Sequence, residues 1–290
     1  MSMIRRIRSR AAAGFTLIES VVVITLIGII AAIAAVFLVE PFRAATDMAR
    51  RAELVESAET ALDRMTREIR LAVPNSVRLE SDADGTAIEF LRAPNGGRYR
   101  RLPAPGGSGD PLNRVQSSDS FDVLGGIRDN VDTSSPSPVI ACGIGGGDCL
   151  VINNTGTEPF NAYKGDNLAL IVGETVSGGD VVSLTYDTAG RTPAFRSHSP
   201  TQRFQVIDTV VSYVCDAGEL RRHFDYGITN NQTTTPGGTS NLVAEDVASC
   251  SFDYEGGAGQ RHGLVTIDLT IQREGETVRL VDQAHVVNVP

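Results

Sequence analysis

Residues 14–39 read GFTLIESVVVITLIGIIAAIAAVFLV, and this stretch decides the architecture of the N-terminal part of the chain. From Ser20 to Val39, twenty successive residues carry no charge. A helix rises about 1.5 Å per residue and needs about 20 apolar residues to cross about 30 Å of hydrocarbon, so this run can span a membrane once. No other apolar run in the 290 residues approaches this length. We therefore predict a single membrane-spanning helix over residues 15–39.

The flanks of the run predict its orientation and its retention. A basic leader without acids, residues 1–14, precedes it and contains Arg5, Arg6, Arg8 and Arg10. By the positive-inside tendency these arginines keep the N-terminus in the cytoplasm, so everything after Val39 is exported. No small-residue cleavage site follows the apolar core, as it would in an ordinary secretory signal. We expect the helix to be retained.

The sequence GFTLIE, placed between the basic leader and the apolar run, resembles the class III signal of type IV prepilins and type II secretion pseudopilins. The resemblance implies that a prepilin peptidase cuts between Gly14 and Phe15, removes residues 1–14 and methylates the new N-terminus at Phe15. It also implies other pilin subunits and an inner-membrane assembly platform as partners. Ser20 departs from the apolar residue usual after the glutamate, which leaves processing credible.

Glu19 is a candidate functional residue because a carboxylate inside an apolar helix is unfavourable and therefore rarely incidental. The span offers no lysine or arginine on the neighbouring turns, so the natural cation is the new amino group of Phe15. That amine can belong to this subunit or to the next one, and the family resemblance implies the next one. The alternative is that Glu19 only reaches toward headgroup water.

Beyond Pro41 the pattern remains helical but becomes amphipathic, and residues 42–73 are predicted to continue the helix until Pro74 stops it. Residues 74–290 then show period-two alternation and turn signals, which predict an exported β-rich domain. The fold class is α+β: a long helix packed on an antiparallel β-rich domain, as in type IV pilins. Further predictions are an apolar helix stripe (Met48, Ala52, Val55, Ala58, Leu62, Met65, Ile69, Val73), a hairpin over residues 77–91, strands near residues 149–152, 168–172, 181–186, 209–215 and 248–254, a C-terminal hairpin with Val265, Ile267, Leu269 and Ile271 on one face, and long loops at residues 94–111 and 230–241.

All four cysteines follow the span, in the part predicted to be exported and oxidising. The simplest of the three possible connectivities joins Cys142 to Cys149 and Cys215 to Cys250. Zinc is the competing interpretation, but gaps of six and thirty-four residues fit no defensible zinc spacing. We therefore expect two disulfides.

The remaining chemical candidates are weak, and we predict neither an enzyme nor a cofactor or metal site. A formal net charge of −9 argues against coating nucleic acid. His198, His223, His262 and His285 are scattered, and residues 143–147 lack the strand, helix and lysine context of a phosphate loop. Residues 82–85 (DADG) echo the start of a calcium loop but read best as a hairpin turn, which leaves calcium binding open. Two arginine clusters are assigned to solvated surfaces: Arg98, Arg100 and Arg101, and Arg221 with Arg222.

The resemblance extends along nearly the whole chain. Segments such as VVSYVCDAGELRRH, DVASCSFDY and HGLVTIDLTI look most like the minor pilin-like MshO proteins of the mannose-sensitive haemagglutinin (MSHA) pilus. This implies a minor subunit of a type IV pilus, best placed in a priming or tip complex, held in the bacterial inner membrane with a periplasmic domain and extracellular once assembled. A J-like type II secretion pseudopilin and a surface-binding adhesin or DNA-uptake tip remain as alternatives.

Overall fold

The computed structural model describes residues 14–134, 147–256 and 262–290. One long helix, α1, is followed by fourteen strands in the described residues. Their bounds are α1 Leu17–Ile69, β1 Arg78–Asp82, β2 Gly85–Arg92, β3 Asn95–Tyr99, β4 Ser118–Arg128, β5 Cys149–Val151, β6 Leu168–Ser177, β7 Asp180–Asp187, β8 Arg203–Ile207, β9 Thr209–Asp216, β10 Glu219–Phe224, β11 Thr239–Ala244, β12 Val247–Glu255, β13 His262–Arg273 and β14 Glu276–Val287.

The chain divides into two compact units, one ending at Ala52 and the other comprising Glu53–Pro290. The α+β prediction is confirmed: an apolar helix is followed by an antiparallel β-rich region. In the second unit, the last turns of α1 bury an apolar stripe against strands, because residues three and four apart share one helix face. The buried members are Leu54, Ala58, Ala61, Leu62, Met65 and Ile69. Met48 and Ala52, the first two members of the predicted stripe, are exposed instead.

Helix α1 ends at Ile69 rather than at the predicted Val73. The backbone N–H of Val73 donates to the carbonyl of Leu91 at 2.8 Å, and Ala72 forms an isolated bridge with Arg92. The segment after Ile69 has thus exchanged helical hydrogen bonds for pairing with β2. This exchange is a long-range contact that the local pattern before Pro74 does not reveal.

Two antiparallel sheets pack around the buried C-terminal part of the helix. The first has the order β1-β2-β9-β10-β11, and the second has the order β12-β13-β14. Their shared core contains the helix stripe together with Phe90 and Tyr213 of the first sheet and Ile267 and Leu269 of the second. The predicted N-terminal and C-terminal hairpins are confirmed as the pairs β1–β2 and β13–β14. The predicted alternation of the C-terminal hairpin is also confirmed, since its four apolar residues are at most 1% exposed.

The remaining strands form a closed barrel in the order β3-β4-β7-β6-β5-β8, which the sequence did not predict. Aromatic side chains fill its interior: Tyr99, Phe121 and Phe204 are at most 1% exposed. Phe121 meets Tyr99 and Phe204 edge-on, with ring centroids 6.3 and 5.5 Å apart. Such edge-to-face pairs add to the stabilisation that apolar burial provides.

The two predicted long loops are wrong in part. Strand β3 lies inside residues 94–111, where it pairs with β4 and β8. Strand β11 begins at Thr239, inside residues 230–241. The part of that second stretch that remains a loop covers the edge of β1, where the Gln232 side-chain amide donates to the carbonyls of Arg78 and Ala87 at 3.3 and 3.2 Å.

Candidate processing and assembly site

The candidate cleavage site precedes the first turn of α1. Thr16 caps this turn: its side-chain oxygen accepts a hydrogen bond from the Glu19 N–H at 3.3 Å, and its carbonyl accepts one from the Ser20 N–H at 3.2 Å. Threonine is a favoured N-cap because its side chain satisfies one of the N–H groups that the helix leaves unpaired. The Gly14–Phe15 peptide bond therefore lies outside the helix, where a protease can reach the backbone.

Nothing in the described structure requires glycine at position 14. No described atom lies within 4 Å of the position that a Cβ would occupy. Close approach of another group is a common reason for a glycine, and among the described residues it does not apply here. The described fold therefore leaves room for a larger side chain at position 14.

Phe15 and the residues after it present apolar side chains without tertiary contacts. Phe15 is 76% exposed, Leu17 84% and Ile18 73%. The helix from Leu17 to Ala35 has a mean hydropathy of 2.6, and none of this window is buried inside the chain. The Thr25 hydroxyl is satisfied within the helix by the carbonyls of Val21 and Val22 at 3.1 and 2.9 Å. A helix with these properties is suited to lipid or to other apolar helices rather than to water.

Glu19 lies in the first turn of α1 with an exposed side chain. In the described part of the chain no cation pairs with its carboxylate. From Gly14 to Phe42 the only charged residues are Glu19 and Glu40, so the helix itself offers no partner. The helix N-terminus favours a negative charge through its dipole, although this interaction is worth only about 0.3–1 kcal/mol. The geometry therefore leaves Glu19 open to a cation from outside the described chain.

The cysteines fall into one described pair and one that is only half described. Cys215 in β9 and Cys250 in β12 form a disulfide with a Cα–Cα distance of 6.2 Å, and it joins the two sheets. Cys149 is buried in β5, whereas Cys142 lies outside the described residues. The Cys142–Cys149 pairing therefore stays a prediction.

The weaker candidates for a calcium, histidine or metal site have ordinary structural roles where the structure describes them. Residues 82–85 form the predicted hairpin turn, in which the Asp84 N–H donates to the Asp82 carboxylate at 2.9 Å. His198 stacks on Tyr99 with ring centroids 5.7 Å apart, and burial lowers its pKa. No group of three or more His, Cys, Asp or Glu side chains that could hold a metal ion occurs among the described residues. Most of the glycine-rich stretch at residues 143–147 lies outside them.

One prediction about the arginines is wrong, because Arg222 is buried. Its guanidinium donates to the Glu68 carboxylate at 2.7 Å, and Arg92 reaches the same carboxylate at 3.3 Å. Tyr213 also donates to Glu68, at 2.6 Å. Burial opposes ionisation of Glu68, but these hydrogen bonds and the two arginine charges outweigh it and lower the Glu68 pKa. A signal was available: Arg222 lies two residues after the buried Leu220, on the same face of the strand.

A comparison with known proteins bears on the N-terminal region alone. No curated protein and no solved structure matches the chain. Residues 9–35, which contain Gly14, Phe15 and Glu19, match the family model described as the prokaryotic N-terminal methylation motif. With the apolar helix and the β-rich region behind it, this match supports a type IV pilin-like N-terminus, of the kind found in pilins and pseudopilins.

Proposed function

We propose that the chain is a minor pilin-like subunit of a type IV pilus of the MSHA type. A prepilin peptidase cleaves it between Gly14 and Phe15, methylates Phe15 and leaves the helix anchored in the inner membrane with the β-rich region in the periplasm. The subunit then joins the filament through other pilins, in a priming or tip complex. This proposal includes the domain division into a leader (1–14), a pilin helix (15–73) and an exported domain (74–290).

The observation that carries the proposal is the pairing of two features at the helix start. Gly14 is a glycine that the described fold does not require, and Glu19 is a carboxylate without a cation in the described chain, on an exposed apolar helix. Cleavage after Gly14 provides a cation for the carboxylate of Glu19, because it creates a charged amine at Phe15. A neighbouring subunit that presents this amine to Glu19 would neutralise both charges in an apolar setting, where an unpaired charge is costly.

The parts of the chain then have separate roles in assembly. The apolar helix supplies lateral packing against other helices, and the Glu19–amine pair sets the axial register between subunits. The β-rich unit, with its barrel and two sheets, distinguishes this chain from partners that share the same kind of N-terminus. A type II secretion pseudopilin would use the same helix and the same pair, so the distinction between the two systems rests on the partners of the β-rich unit.

The test replaces Glu19 by alanine and compares membrane levels with filament levels. Glu19→Ala should insert as well as wild type, because it removes an unfavourable carboxylate from the apolar helix. Its incorporation into filaments should fall by orders of magnitude, because the neighbour's amine loses its partner. The readouts are membrane fractionation and cross-linking to other minor subunits.

Ser20→Ala is the matched control. Ser20 lies in the same helical turn, and its hydroxyl only returns to the Thr16 carbonyl at 3.4 Å, so incorporation should remain at the wild-type level. Normal piliation and unchanged cross-links for Glu19→Ala would overturn the proposal. Cross-links to secretion components instead of pilus components would reassign the subunit to a secretion pseudopilus.

A further inference from the structure

Strand β14 forms an open edge of the three-stranded sheet. It is the last strand in the order β12-β13-β14 and pairs with β13 along its whole length without a register shift. Within the described residues, no backbone hydrogen bond joins β14 to an element other than β13. Edge strands of this length are usually protected by bulges, prolines or covering segments, because unpaired backbone groups invite another strand. The edge of β1, by contrast, is covered by the loop that contains Gln232.

The register identifies which backbone groups of β14 point outward. The hairpin turns through Glu274 and Gly275, both with positive φ, so the flanking pair Arg273–Glu276 is a hydrogen-bonded pair. Hydrogen-bonded and non-hydrogen-bonded pairs then alternate along the ladder. The outward groups consequently belong to the odd-numbered residues from 277 to 287. Among the described contacts, one local bond occupies an outward group: the Gln283 N–H donates to the Asp282 carboxylate at 2.7 Å.

A groove of about 330 Å³ lies between helix α1 and this edge. Leu62, Leu280 and Val281 are among its lining residues. The side chain of Val281 is 57% exposed and, by strand alternation, lies on the face opposite to Leu280 and Asp282. The remaining lining residues of the groove are Glu59, Asp63 and Asp282, all of them acidic. In the described part of the chain neither Glu59 nor Asp63 has a cationic partner for its carboxylate. Asp282 accepts a hydrogen bond from the Thr66 hydroxyl at 2.7 Å, which leaves its charge uncompensated.

We propose that the edge of β14 binds an extended polypeptide segment that carries lysine or arginine at alternate positions. Such a segment would add a strand beside β14, satisfying the outward N–H and C=O groups by β-augmentation. Its basic side chains would project to the face that bears Glu59, Asp63 and Asp282. Its other side chains would lie on the opposite face, beside Val281 and Val287, which are 57% and 47% exposed.

Charge complementarity distinguishes this occupant from a second copy of the chain. Pairing of β14 with its own copy would bring two acidic grooves together across the symmetry axis, and like charges in close contact are unfavourable. A basic segment removes that repulsion instead. The proposal does not rest on Glu19 or on cleavage at Gly14, so its failure would leave the pilin-like function untouched.

The test measures binding of a labelled peptide, TKVKVKT, to the full chain in non-ionic detergent by fluorescence anisotropy. We expect saturable binding at least tenfold tighter than that of the matched acidic peptide TEVEVET, and a clear decrease in affinity with salt. Val281→Pro removes an outward N–H and no ladder hydrogen bond, since proline is tolerated at such edge positions. It should weaken binding at least tenfold.

Two further arms separate charge from backbone pairing. The double variant Glu59→Gln, Asp63→Asn should weaken binding at least fivefold and flatten the salt dependence. Glu56→Gln, which changes an exposed acid on the same helix outside the groove, should leave binding unchanged. Two N-methylated forms of the peptide, one modified at the odd-numbered and one at the even-numbered backbone nitrogens, leave the protein unaltered. The form whose methyl groups replace the N–H groups that face β14 should not bind, and the other form should bind.

Several results would overturn the proposal. These are absence of saturable binding by TKVKVKT, equal binding of both peptides, unchanged affinity after Val281→Pro, and unchanged affinity with both N-methylated peptides. Dimerisation of the full chain that Val281→Pro removes would identify a second copy as the occupant and would equally reject a basic segment.

Discussion

Two glutamates on the same helix have opposite surroundings. Glu68, near the end of α1, accepts hydrogen bonds from Arg222 at 2.7 Å, Tyr213 at 2.6 Å and Arg92 at 3.3 Å. Glu19, in the first turn, has no cationic partner in the described residues. The carboxylate of Glu68 is stabilised by residues of its own chain, whereas the described residues provide no cation for the carboxylate of Glu19.

The difference shows in which part of the helix the apolar and charged side chains are satisfied by contacts within the described chain. Around Glu68 the apolar stripe is buried and the carboxylate has cationic partners, so this segment needs no further partner for these groups. Around Glu19 the apolar side chains are exposed, which is unfavourable in water, and the single carboxylate is unfavourable in lipid. The N-terminal segment is therefore suited to an apolar surrounding that also supplies a cation. Substitutions in the N-terminal segment and in the Glu68 cluster test this contrast separately.

The largest effect is expected from Gly14→Val, which blocks the source of the proposed partner of Glu19. If cleavage after Gly14 supplies the amine, a branched side chain at this position should leave nearly all the protein as an uncut precursor absent from filaments. The described fold gives no reason for Gly14→Val to unfold the chain, since open space surrounds the Cβ position. Intact-mass measurement of membrane fractions checks this. A native N-terminus at Met1, or cleavage after residue 39 in the wild type, would contradict it.

The second prediction removes the carboxylate of Glu68 from its buried cluster. Glu68→Ala leaves Arg222, whose side chain is 5% exposed, without its carboxylate. Removing one partner of a buried ion pair costs about 3–5 kcal/mol of the free energy of unfolding. Urea unfolding of the full chain in non-ionic detergent measures the loss, and membrane insertion should be unaffected.

Glu56→Ala is the matched control for this variant, because Glu56 is an exposed acid on the same helix. Surface substitutions of this kind change stability by no more than about 0.5 kcal/mol. Equal losses for the two variants would mean that the Glu68 cluster does not stabilise the fold.

The regions that the sequence predicted well are those whose pattern is local. The helix stripe repeats every three or four residues, and the C-terminal hairpin alternates strictly around a Glu274–Gly275 turn, so each could be identified from a short window. The motif at Gly14, Phe15 and Glu19 is equally local. The roles of these three residues stay predictions, because among the described residues no cation pairs with Glu19.

The barrel and the Glu68 cluster were missed because they depend on distant residues. Strand β3 reads NGGRY, and its asparagine and glycines have low strand propensity, so it becomes a strand only by pairing with β4 and β8. Arg222 joins Glu68 across a separation of 154 residues. A pattern read within one segment cannot detect a partner of that kind.

The third prediction concerns the disulfide that joins the two sheets packed around the C-terminal part of the helix. Cys215 and Cys250 are 35 residues apart, and closing a loop of that size stabilises a protein by about 3–4 kcal/mol through the entropy of the unfolded chain. The double variant Cys215→Ser, Cys250→Ser should lose a similar amount in urea unfolding. Non-reducing peptide mapping of the wild type should recover Cys215 with Cys250 and, as predicted from the sequence, Cys142 with Cys149. Crossed pairs would refute that connectivity.

Asp148 contrasts with Glu68, because it is a buried acid for which the described residues supply no paired cation. Asp148 is 7% exposed, and burial, with further repulsion from Asp208, Asp132 and Glu174, raises its pKa to about 6. An acid whose pKa is higher in the folded state binds its proton more tightly there, so stability falls as the pH rises from about 4 to about 6. Glu68 has the opposite sign: its lowered pKa contributes stability above the unfolded pKa that is lost on acidification.

The smallest expected effect comes from Asp148→Asn, which tests whether burial without a cation destabilises this fold. The variant keeps a side-chain oxygen to accept the Asp132 N–H, at 3.0 Å in the wild type, but cannot ionise. It should match the wild type near pH 4 and exceed its free energy of unfolding by about 1–2 kcal/mol at pH 7, less than two full pKa units because solvent screens the site. Urea unfolding at a series of pH values measures this difference. Parallel curves for the two proteins would show that Asp148 is ionised at no cost, and that burial without a cation is not what separates the two kinds of acid in this fold.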